Sequence, residues 1–508
     1  MTLINSLVTW IMKKRMHQIE LFVKYPNEVQ DEWFKNLIDS AENTEWGKKY
    51  GYKNIENVDH FRQRFPIQTY DTLKPYIERM MQGEQNVLWP SEIKWFAKSS
   101  GTTSDRSKFI PVSEEAMEEC HFKGGKDMIT LYCNNRPESK LFTGKTLVLG
   151  GSHQISQLNP DSYYGDLSAV LIKNLPLWAE FYRTPELAIT LLENYEEKIE
   201  KIAQITQHVN VTGISGVPTW NIVLAKRLLE LTGKDNLLEI WPNLELYVHG
   251  AVSFTPYRDH FKKLVPKEDM YYMETYNASE GFFGIQDQSG SEEMLLMLDY
   301  GIFYEFLPLE NLFDDDPQTK VLDEVEMGIN YALIISTNSG LWRYMIGDTV
   351  QFTSLSPFRI RITGRTKHFI NAFGEEVIVD NSERALKEAC RQTDAIIREY
   401  TAAPVYFEGN NAGGHEWIIE FEQQPNNKES FKLILDEALR KINSDYDAKR
   451  FKDMALKPPL IHFAPDGTFY NWLKQKGKLG GQHKVPRLAN NREYVDSILT
   501  LMNEPMLR

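Results

Sequence analysis

Apolar residues recur three and four positions apart through much of the first 90 residues, and this spacing predicts amphipathic helices. The pattern is clearest over Gln30–Ala41 and again over Tyr70–Met81, with a break at Phe65-Pro66 between them. We therefore expect a mainly helical N-terminal region that ends near Pro90.

Beyond Pro90, short apolar runs bounded by glycines alternate with helical patterns. The spacing predicts helices over Glu114–Tyr132, Glu186–Thr206 and from Gly216 to about Leu231, and strands over Trp95–Lys98, Phe109–Val112, Lys145–Gly151, Val209–Gly213, Leu244–Gly250 and Tyr271–Tyr276. Such alternation is typical of an α/β sheet, where ligands collect outside the carboxyl ends of the strands. Four polar loops, near residues 101, 151, 250 and 280, are therefore expected on one face.

Strand patterns dominate from residue 290 to 362 and indicate a β-rich subdomain, over Met294–Leu298, Phe303–Phe306, Asn330–Ser336 and Thr349–Phe352. After Gly364 the pattern changes to helices over Ser382–Thr393 and Lys428–Ile442 and a strand over Trp417–Phe421. We place a domain boundary near residue 362, which divides the 508 residues into a large mixed α/β N-terminal domain (1–362) and a small α+β C-terminal domain (363–508).

Charge and cysteine content narrow the class of protein. The formal net charge of −14 argues against a nucleic-acid binder, although a local basic pocket for a nucleotide remains compatible with it. Three cysteines without metal spacing or an even disulfide framework indicate a reducing compartment. The apolar stretch Leu3–Met12 is too short to span a bilayer and predicts a docked amphipathic helix. We expect a cytoplasmic protein with no transmembrane segment, and its oligomeric state stays open.

The loop between the first two strands, Ser99-Ser-Gly-Thr-Thr-Ser-Asp-Arg-Ser-Lys108, is the strongest candidate for chemistry. Glycine allows a ligand to approach the backbone closely, and hydroxyls beside exposed N–H groups form an anion-binding concavity. The loop is not a Walker A sequence, because Ser107 and Phe109 replace its glycine and hydroxyl positions. Taken alone, it also fits an ordinary polar turn.

A second motif, Tyr276-Asn-Ala-Ser-Glu-Gly281, places an aromatic ring, a hydroxyl and a carboxylate at a strand end. The ring can stack on a nucleobase. A carboxylate such as Glu280 is compatible with a triphosphate when Mg²⁺ lies between them. A structural turn is the alternative.

Further downstream, the stretch Trp342–Asp348 is expected to end a strand at Gly347-Asp348. The carboxylate of Asp348 offers two acceptor oxygens to ribose hydroxyls. Gly364-Arg365-Thr366-Lys367 and a glycine-rich segment containing Lys484 supply cations from loops, where lysine suits a phosphate whose charge changes during a reaction. Each is also compatible with a solvated surface or turn.

The order of these motifs, together with Gly216-Val-Pro-Thr219, resembles that of the adenylate-forming superfamily. Within it, the chain resembles the auxin-responsive acyl-acid amido synthetases (the Gretchen Hagen family) over nearly its whole length. Three further segments carry that resemblance: Pro66-Ile-Gln-Thr-Tyr70, Asn443-Ser-Asp-Tyr446 with Arg450, and Gly481-Gln-His-Lys-Val-Pro-Arg487.

The resemblance implies a large adenylate-forming domain, a mobile C-terminal domain, and a two-step reaction of ATP, Mg²⁺, a small carboxylic acid and an amine or amino acid. The acid would form an acyl-adenylate with release of pyrophosphate, and the amine would then take the acyl group. The implied catalytic lysines are Lys108, Lys367 and Lys484, the last entering the site when the C-terminal domain closes.

The implied ligand contacts follow from the same resemblance. The phosphate loop would be formed by Ser99, Ser100, Gly101, Thr102 and Thr103. Tyr276 would lie at adenine, Asn277 would be a further nucleotide-binding residue, and Ser279 and Glu280 would lie near phosphate and Mg²⁺, with Glu280 as the metal ligand. Asp348 would hold the ribose, Arg365 would lie near ribose and phosphate, and Trp220, Gly250 and Ala251 would line the acyl pocket.

One departure is Asp105, which stands where the superfamily loop often has a second glycine and brings negative charge beside the phosphates. Two alternatives stay open. The acceptor could be coenzyme A, although we find no obvious extra basic surface for its 3′-phosphate. The chain could also be a non-catalytic nucleotide- or acyl-binding protein, against which the joint presence of Lys108, Glu280, Asp348 and Lys484 argues.

Overall fold

The structure is a computed structural model, and its described part omits a set of short segments. These are residues 1, 100–107, 150–154, 176, 191, 193–194, 251–253, 255–256, 313, 367–368, 371–374, 376, 407–412, 444–445, 448–449, 451–455, 478–484, 490 and 504–508. The chain divides into two compact units. The first comprises residues 1–252, 267–346 and 350–361, and the second comprises 253–266, 347–349 and 362–508.

Helices dominate the first 90 residues, as the periodicity predicts. The helices before residue 250 are α1 (Thr2–Lys24), α2 (Pro26–Ala41), α3 (Glu45–Tyr50), α4 (Val58–Arg64), α5 (Tyr70–Met81), α6 (Glu114–Ala116), α7 (Lys123–Asn135), α8 (Leu167–Lys173), α9 (Leu177–Tyr182), α10 (Leu187–Thr190), α11 (Tyr195–Thr206) and α12 (Pro218–Thr232). The later helices are α13 (Arg258–Leu264), α14 (Val379–Thr393), α15 (Lys428–Ile442), α16 (Thr468–Gln475) and α17 (Glu493–Asn503).

The strands up to residue 285 are β1 (Trp95–Ser99), β2 (Lys108–Val112), β3 (Lys145–Val148), β4 (Ser156–Asn159), β5 (Ser162–Gly165), β6 (Arg183–Thr184), β7 (Val211–Ser215), β8 (Leu246–Gly250), β9 (Tyr271–Ala278) and β10 (Gly281–Ile285). The remaining strands are β11 (Met294–Leu296), β12 (Ile302–Pro308), β13 (Asn330–Thr337), β14 (Tyr344–Leu355), β15 (Phe358–Arg365), β16 (Phe369–Ile370), β17 (Val377–Ile378), β18 (Ile396–Tyr406), β19 (Gly413–Gln423) and β20 (Leu460–Ala464).

A mixed sheet in the order β12-β13-β14-β15-β11-β10-β9-β8-β7-β3-β6 forms the centre of the fold, and a smaller sheet has the order β2-β1-β5-β4. Neighbouring strands are parallel from β6 through β3, β7 and β8 to β9. Strand β10 is antiparallel to β9, and β11 is antiparallel to β10. The β-rich stretch after residue 290 thus continues the same sheet, because antiparallel strands extend a parallel one through the same backbone ladder.

The second unit has a three-stranded sheet, β18-β19-β20, and a short pair, β16-β17. Helices α14 and α15 contribute buried apolar residues to the core beside the three-stranded sheet. In this unit Tyr446 and Arg450, which carry part of the family resemblance, both hydrogen bond to the buried carboxylate of Asp436 on α15. Their contacts are therefore structural ones.

Two local helix predictions differ from the structure. The helix expected over Glu186–Thr206 is two separate helices, α10 and α11. The buried Arg183 guanidinium donates to the Pro185 carbonyl, just before α10, and to the Thr190 hydroxyl at its end. The helix after Ser113 contains a π-helical segment, Met117–Phe122, although Ser113 Oγ caps it as expected by accepting from Ala116 N–H at 2.9 Å. Helical periodicity does not reveal either interruption, because both depend on tertiary partners.

Candidate active site

The ends of the predicted phosphate loop are brought together by the β1–β2 hairpin. Ser99 and Lys108 are direct partners in the antiparallel register, and Lys98 faces Phe109 one step further in. Of the predicted loop residues, Ser100, Gly101, Thr102, Thr103 and Asp105 lie outside the described part of the chain, as does the side chain of Ser99. Lys108 is half-buried, and its Nζ lies 5.8 Å from the centroid of the Tyr70 ring.

The motif around Glu280 is the two-residue turn of a tight hairpin. Ala278 pairs with Gly281 across β9 and β10, which leaves Ser279 and Glu280 at the tip. Ser279 is buried and Glu280 is half-buried, while Asn277 is exposed. A Cβ at Gly281 would lie 2.8 Å from Cδ1 of Ile302 and 2.9 Å from the Phe283 ring, so a larger residue would displace these side chains.

Tyr276 is more enclosed than a freely accessible stacking surface. Its side chain is 4% exposed, and its ring packs 4.8 Å from the ring of Phe283 at an angle of 58°. Its predicted contact with adenine stays a prediction.

The π-helical segment supports this hairpin from behind. Cys120 Sγ accepts a hydrogen bond from the N–H of Phe282 at 3.1 Å, and the Phe282 ring lies against Gly124 of α7. Sequence reasoning missed Cys120 and Gly124 as supports. The pair Gly124-Gly125 inside a helical pattern was a usable signal, because a helix glycine often marks a close approach.

The predicted acyl-binding residues lie near the ends of neighbouring elements. Gly250 ends β8, and a Cβ there would lie 2.6 Å from the Thr275 carbonyl oxygen of β9. Trp220 is half-buried in the first turn of α12, where its neighbour Asn221 donates to the Tyr247 hydroxyl at 3.4 Å. Ala251 lies outside the described residues.

Asp348 and Arg365 belong to the second unit, where they form an ion pair with an Nε–Oδ1 distance of 2.8 Å. Asp348 lies within β14, so the prediction that Gly347-Asp348 ends a strand is wrong. The positive φ of Gly347, 96°, distorts the strand locally, and Thr366 N–H donates to the Gly347 carbonyl at 2.8 Å. This bond joins β14 to the residue that follows β15, and local patterns cannot show a contact between residues so far apart in the chain. Lys367 lies outside the described residues.

The segment that follows Lys484 is attached to β18. Thr401 Oγ1 donates to the Pro486 carbonyl at 2.6 Å, and Ala402 N–H donates to the Arg487 carbonyl at 2.9 Å. The Arg487 guanidinium lies 4.7 Å from the centroid of the Tyr400 ring and pairs with Glu399. Lys484 itself lies outside the described part, and its predicted role stays untested.

The chain belongs to the GH3 family. The family's N-terminal, central and C-terminal domain models match residues 15–270, 295–365 and 380–493. The predicted family resemblance is thereby confirmed.

Curated relatives match at low identity over nearly the full length. Indole-3-acetic acid-amido synthetase GH3.3 of Arabidopsis thaliana is 24% identical, with 94% of this chain and 92% of the relative covered. The 4-substituted benzoates-glutamate ligase GH3.12 of the same plant is 22% identical, with 93% and 94% covered.

Two solved structures share the fold. The GH3.15 acyl acid amido synthetase superposes with a TM-score of 0.78 at 17% identity, with 95% of each chain covered. A 2-hydroxyisobutyryl-CoA ligase superposes with a TM-score of 0.59 at 12% identity, with 94% of this chain and 92% of the ligase covered. The predicted fold class, a large mixed α/β domain with a small C-terminal domain, is confirmed. Among the described helices, none is both long and apolar enough to cross a membrane.

Proposed function

We propose that this chain is an ATP-dependent acyl-acid amido synthetase, an enzyme that forms a carbon–nitrogen bond through an acyl-adenylate. The observation that carries the proposal is the match of three GH3 domain models from residue 15 to residue 493. The relatives that cover this chain are named as ligases that join an acid to an amine-bearing acceptor.

In the first step, a carboxylate oxygen of the acid attacks the α-phosphorus of ATP, and pyrophosphate leaves. In the second, the amine nitrogen attacks the acyl carbon, AMP leaves and the nitrogen gives up a proton. Activation is needed because a carboxylate has no good leaving group of its own.

The hairpins supply the residues for the first step. In this proposal Ser99 to Thr103 and Lys108 hold the phosphates, and Tyr276 of β9 lies at adenine. Ser279 and Glu280 of the β9–β10 turn lie at phosphate, and Asp348 with Arg365 holds the ribose. Lys367 and Lys484 act on the charge that develops at the phosphate, after the C-terminal domain of residues 363–508 closes.

Glu280 is compatible with a magnesium ion bound together with the nucleotide. Its side chain is half-buried at a turn tip, and a single carboxylate suffices when phosphate oxygens and water complete the shell. The described residues hold no group of three or more metal-ligating side chains, which fits an ion brought in by ATP. When bound, Mg²⁺ would supply positive charge to the phosphates.

The acid and the acceptor are proposals by class. Indole-3-acetate and substituted benzoates appear in the relatives' names and are the first acids to test, with glutamate among the acceptors. A cytoplasmic location is proposed because all three cysteines are free thiols.

Acid-dependent exchange of radiolabelled pyrophosphate into ATP, followed by mass detection of the amide, tests the proposal. We expect exchange with at least one aromatic acid and Mg²⁺, and an amide when amino acids are added. A coenzyme A thioester in place of the amide would overturn the acceptor class. ATP binding without exchange across the panel would favour a non-catalytic binding protein.

Lys108→Ala provides the residue-level test of the same site. We expect a loss of about 10²–10³-fold in kcat for exchange, the scale seen when one donor to developing charge is removed. Lys94→Ala is the matched control, because Lys94 is an exposed lysine just before β1 that pairs with Glu92 at 2.8 Å. Equal rates for the two variants would contradict the role of Lys108.

A further inference from the structure

The segment Pro66–Tyr70 carries part of the family resemblance but receives no role in the proposed reaction. Its last residue, Tyr70, begins α5 and is half-buried. Its phenol and ring both contact the strand that leaves the phosphate loop.

The phenol oxygen of Tyr70 accepts a hydrogen bond from the N–H of Phe109 at 2.9 Å. Strand β2 is the edge of its sheet among the described strands, and within that part of the chain the backbone groups on its outer side have no strand partner. A buried or half-buried N–H needs an acceptor, and the tyrosine provides one. The hydroxyl therefore fixes the backbone one residue after Lys108.

The ring of Tyr70 contacts the side chain of Lys108. Lys108 Nζ lies 5.8 Å from the ring centroid, within the range of a cation–π interaction. Burial raises the pKa of Tyr70, so the phenol stays protonated near neutral pH. One side chain thus contacts both the backbone and the ammonium group at the end of the loop.

Tyr70 is itself held from two directions. Gln68 N–H donates to the Arg343 carbonyl at 2.8 Å, and Met345 N–H donates to the Gln68 carbonyl at 2.9 Å, which pairs the segment with the start of β14. Thr69 N–H donates to Thr72 Oγ1 at 3.0 Å at the start of α5. These bonds fix the backbone from which the Tyr70 side chain projects.

We propose that Tyr70 is a positioning residue for the phosphate loop: its hydroxyl and ring set where Lys108 meets the phosphates of ATP. The inference rests on the proposed function, because it presupposes that Lys108 binds ATP. It assigns a role to the Pro66–Tyr70 segment, which holds the loop's exit strand against the start of β14.

The test compares Tyr70→Phe, Tyr70→Leu and Tyr76→Phe in the full chain. Tyr76 is the matched control, because it lies on the same helix and accepts from Lys49 Nζ at 2.7 Å with that ammonium 5.3 Å from its ring. The readouts are amide hydrogen exchange at Phe109, ATP affinity by calorimetry, and kcat and KM for the exchange of pyrophosphate into ATP.

Tyr70→Phe should speed exchange of the Phe109 amide, weaken ATP binding and lower kcat/KM for ATP about three- to tenfold, the factor that one net hydrogen bond provides. Tyr70→Leu should lose a further factor of about two to five with the cation–π contact. The KM for the acid should stay within about twofold, and Tyr76→Phe should match the wild type in every readout.

Faster Phe109 exchange without a change in ATP affinity or kcat would overturn the proposal, and so would an equal effect of Tyr76→Phe. A wild-type chain that binds no ATP would overturn it as well. A wild-type chain that binds ATP but exchanges no pyrophosphate would overturn only the ligase activity, and the ATP affinities of the variants would still decide the role of Tyr70.

Discussion

His121 occupies an unusual position for a titratable side chain, in the π-helical segment behind the Glu280 hairpin. It is 6% exposed, and its Nδ1 has no hydrogen-bond partner among the described residues. Burial lowers the pKa of His121 to about 4. The imidazole is therefore neutral in the folded protein at all but acidic pH.

A pH-dependent stability follows from this burial. Between pH 6.5 and about 4 the unfolded chain binds a proton at His121 that the folded chain does not, so stability falls as pH falls. The loss approaches about 3 kcal/mol at the acid end. Urea unfolding at several pH values across this window should show that the free energy of unfolding changes less with pH in His121→Gln than in the wild type.

The control for the histidine is His17→Gln, whose side chain is 70% exposed on α1. This variant should keep the wild-type dependence on pH. If His121→Gln also kept it, proton uptake on unfolding would come from other groups.

At the scale of elements, α7 carries two adjacent glycines with opposite requirements. A Cβ at Gly124 would lie 2.5 Å from the ring of Phe282, whereas a Cβ at Gly125 would meet nothing within 4 Å. Phe282 is buried, so its ring cannot move aside without disturbing the start of β10. The helix therefore depends on one glycine for packing and merely tolerates the other.

We expect Gly124→Ala to lower the free energy of unfolding by about 1–3 kcal/mol through overpacking. Gly125→Ala should raise it by about 0.5–1 kcal/mol, because alanine has the higher helix propensity. Thermal and urea unfolding of the two single variants provide the measurement. Changes of the same sign would show that Phe282 does not depend on Gly124.

Sequence patterns predicted elements best where the signal is local. The bounds of Tyr70–Met81 and Lys428–Ile442 coincide with α5 and α15. The π-helical segment was missed, because it depends on tertiary contacts such as the bond from Phe282 N–H to Cys120 Sγ, which no local pattern shows. Gly347 was placed at a strand end for a similar reason, since glycine usually marks a turn.

At the scale of the whole molecule, a buried ion network joins distant parts of the first unit. Arg15 of α1 donates to both oxygens of Asp127 on α7, at 2.8 and 2.6 Å, and to Asp299 at 2.5 Å. Tyr300 donates to Asp127 at 2.7 Å. Burial opposes the charge on Arg15, but its hydrogen bonds to Asp299 and Asp127 outweigh burial and raise the pKa of the guanidinium.

Arg15→Ala should be strongly destabilising, because it leaves the buried Asp127 without its charge partner. The expected loss in the free energy of unfolding is about 3–5 kcal/mol. Lys13→Ala, an exposed neighbour on the same helix, should change stability by no more than about 0.5 kcal/mol. Urea unfolding followed by tryptophan fluorescence compares them, and similar midpoints would contradict the importance of the network.

The candidate site was predictable in part. The motifs that identify the family are contiguous, so Tyr276–Gly281, Gly347-Asp348 and the loop before Lys108 could be found without a structure. The residues that support the Glu280 hairpin could not be found in this way. Cys120 lies 162 residues from its partner Phe282, and no sequence spacing links the two. The ligand roles of the motif residues, and the functional boundary at residue 362, stay predictions.

The sequence by itself determined the family, the mixed α/β class and the bounds of local elements such as α5 and α15, because these depend on neighbours in the chain. Tertiary structure alone decided that the late strands continue the central sheet, that Asp348 pairs with Arg365, and that the Tyr70 hydroxyl accepts from the N–H of Phe109. Those arrangements depend on backbone and side-chain groups that are distant in the chain and meet only on folding.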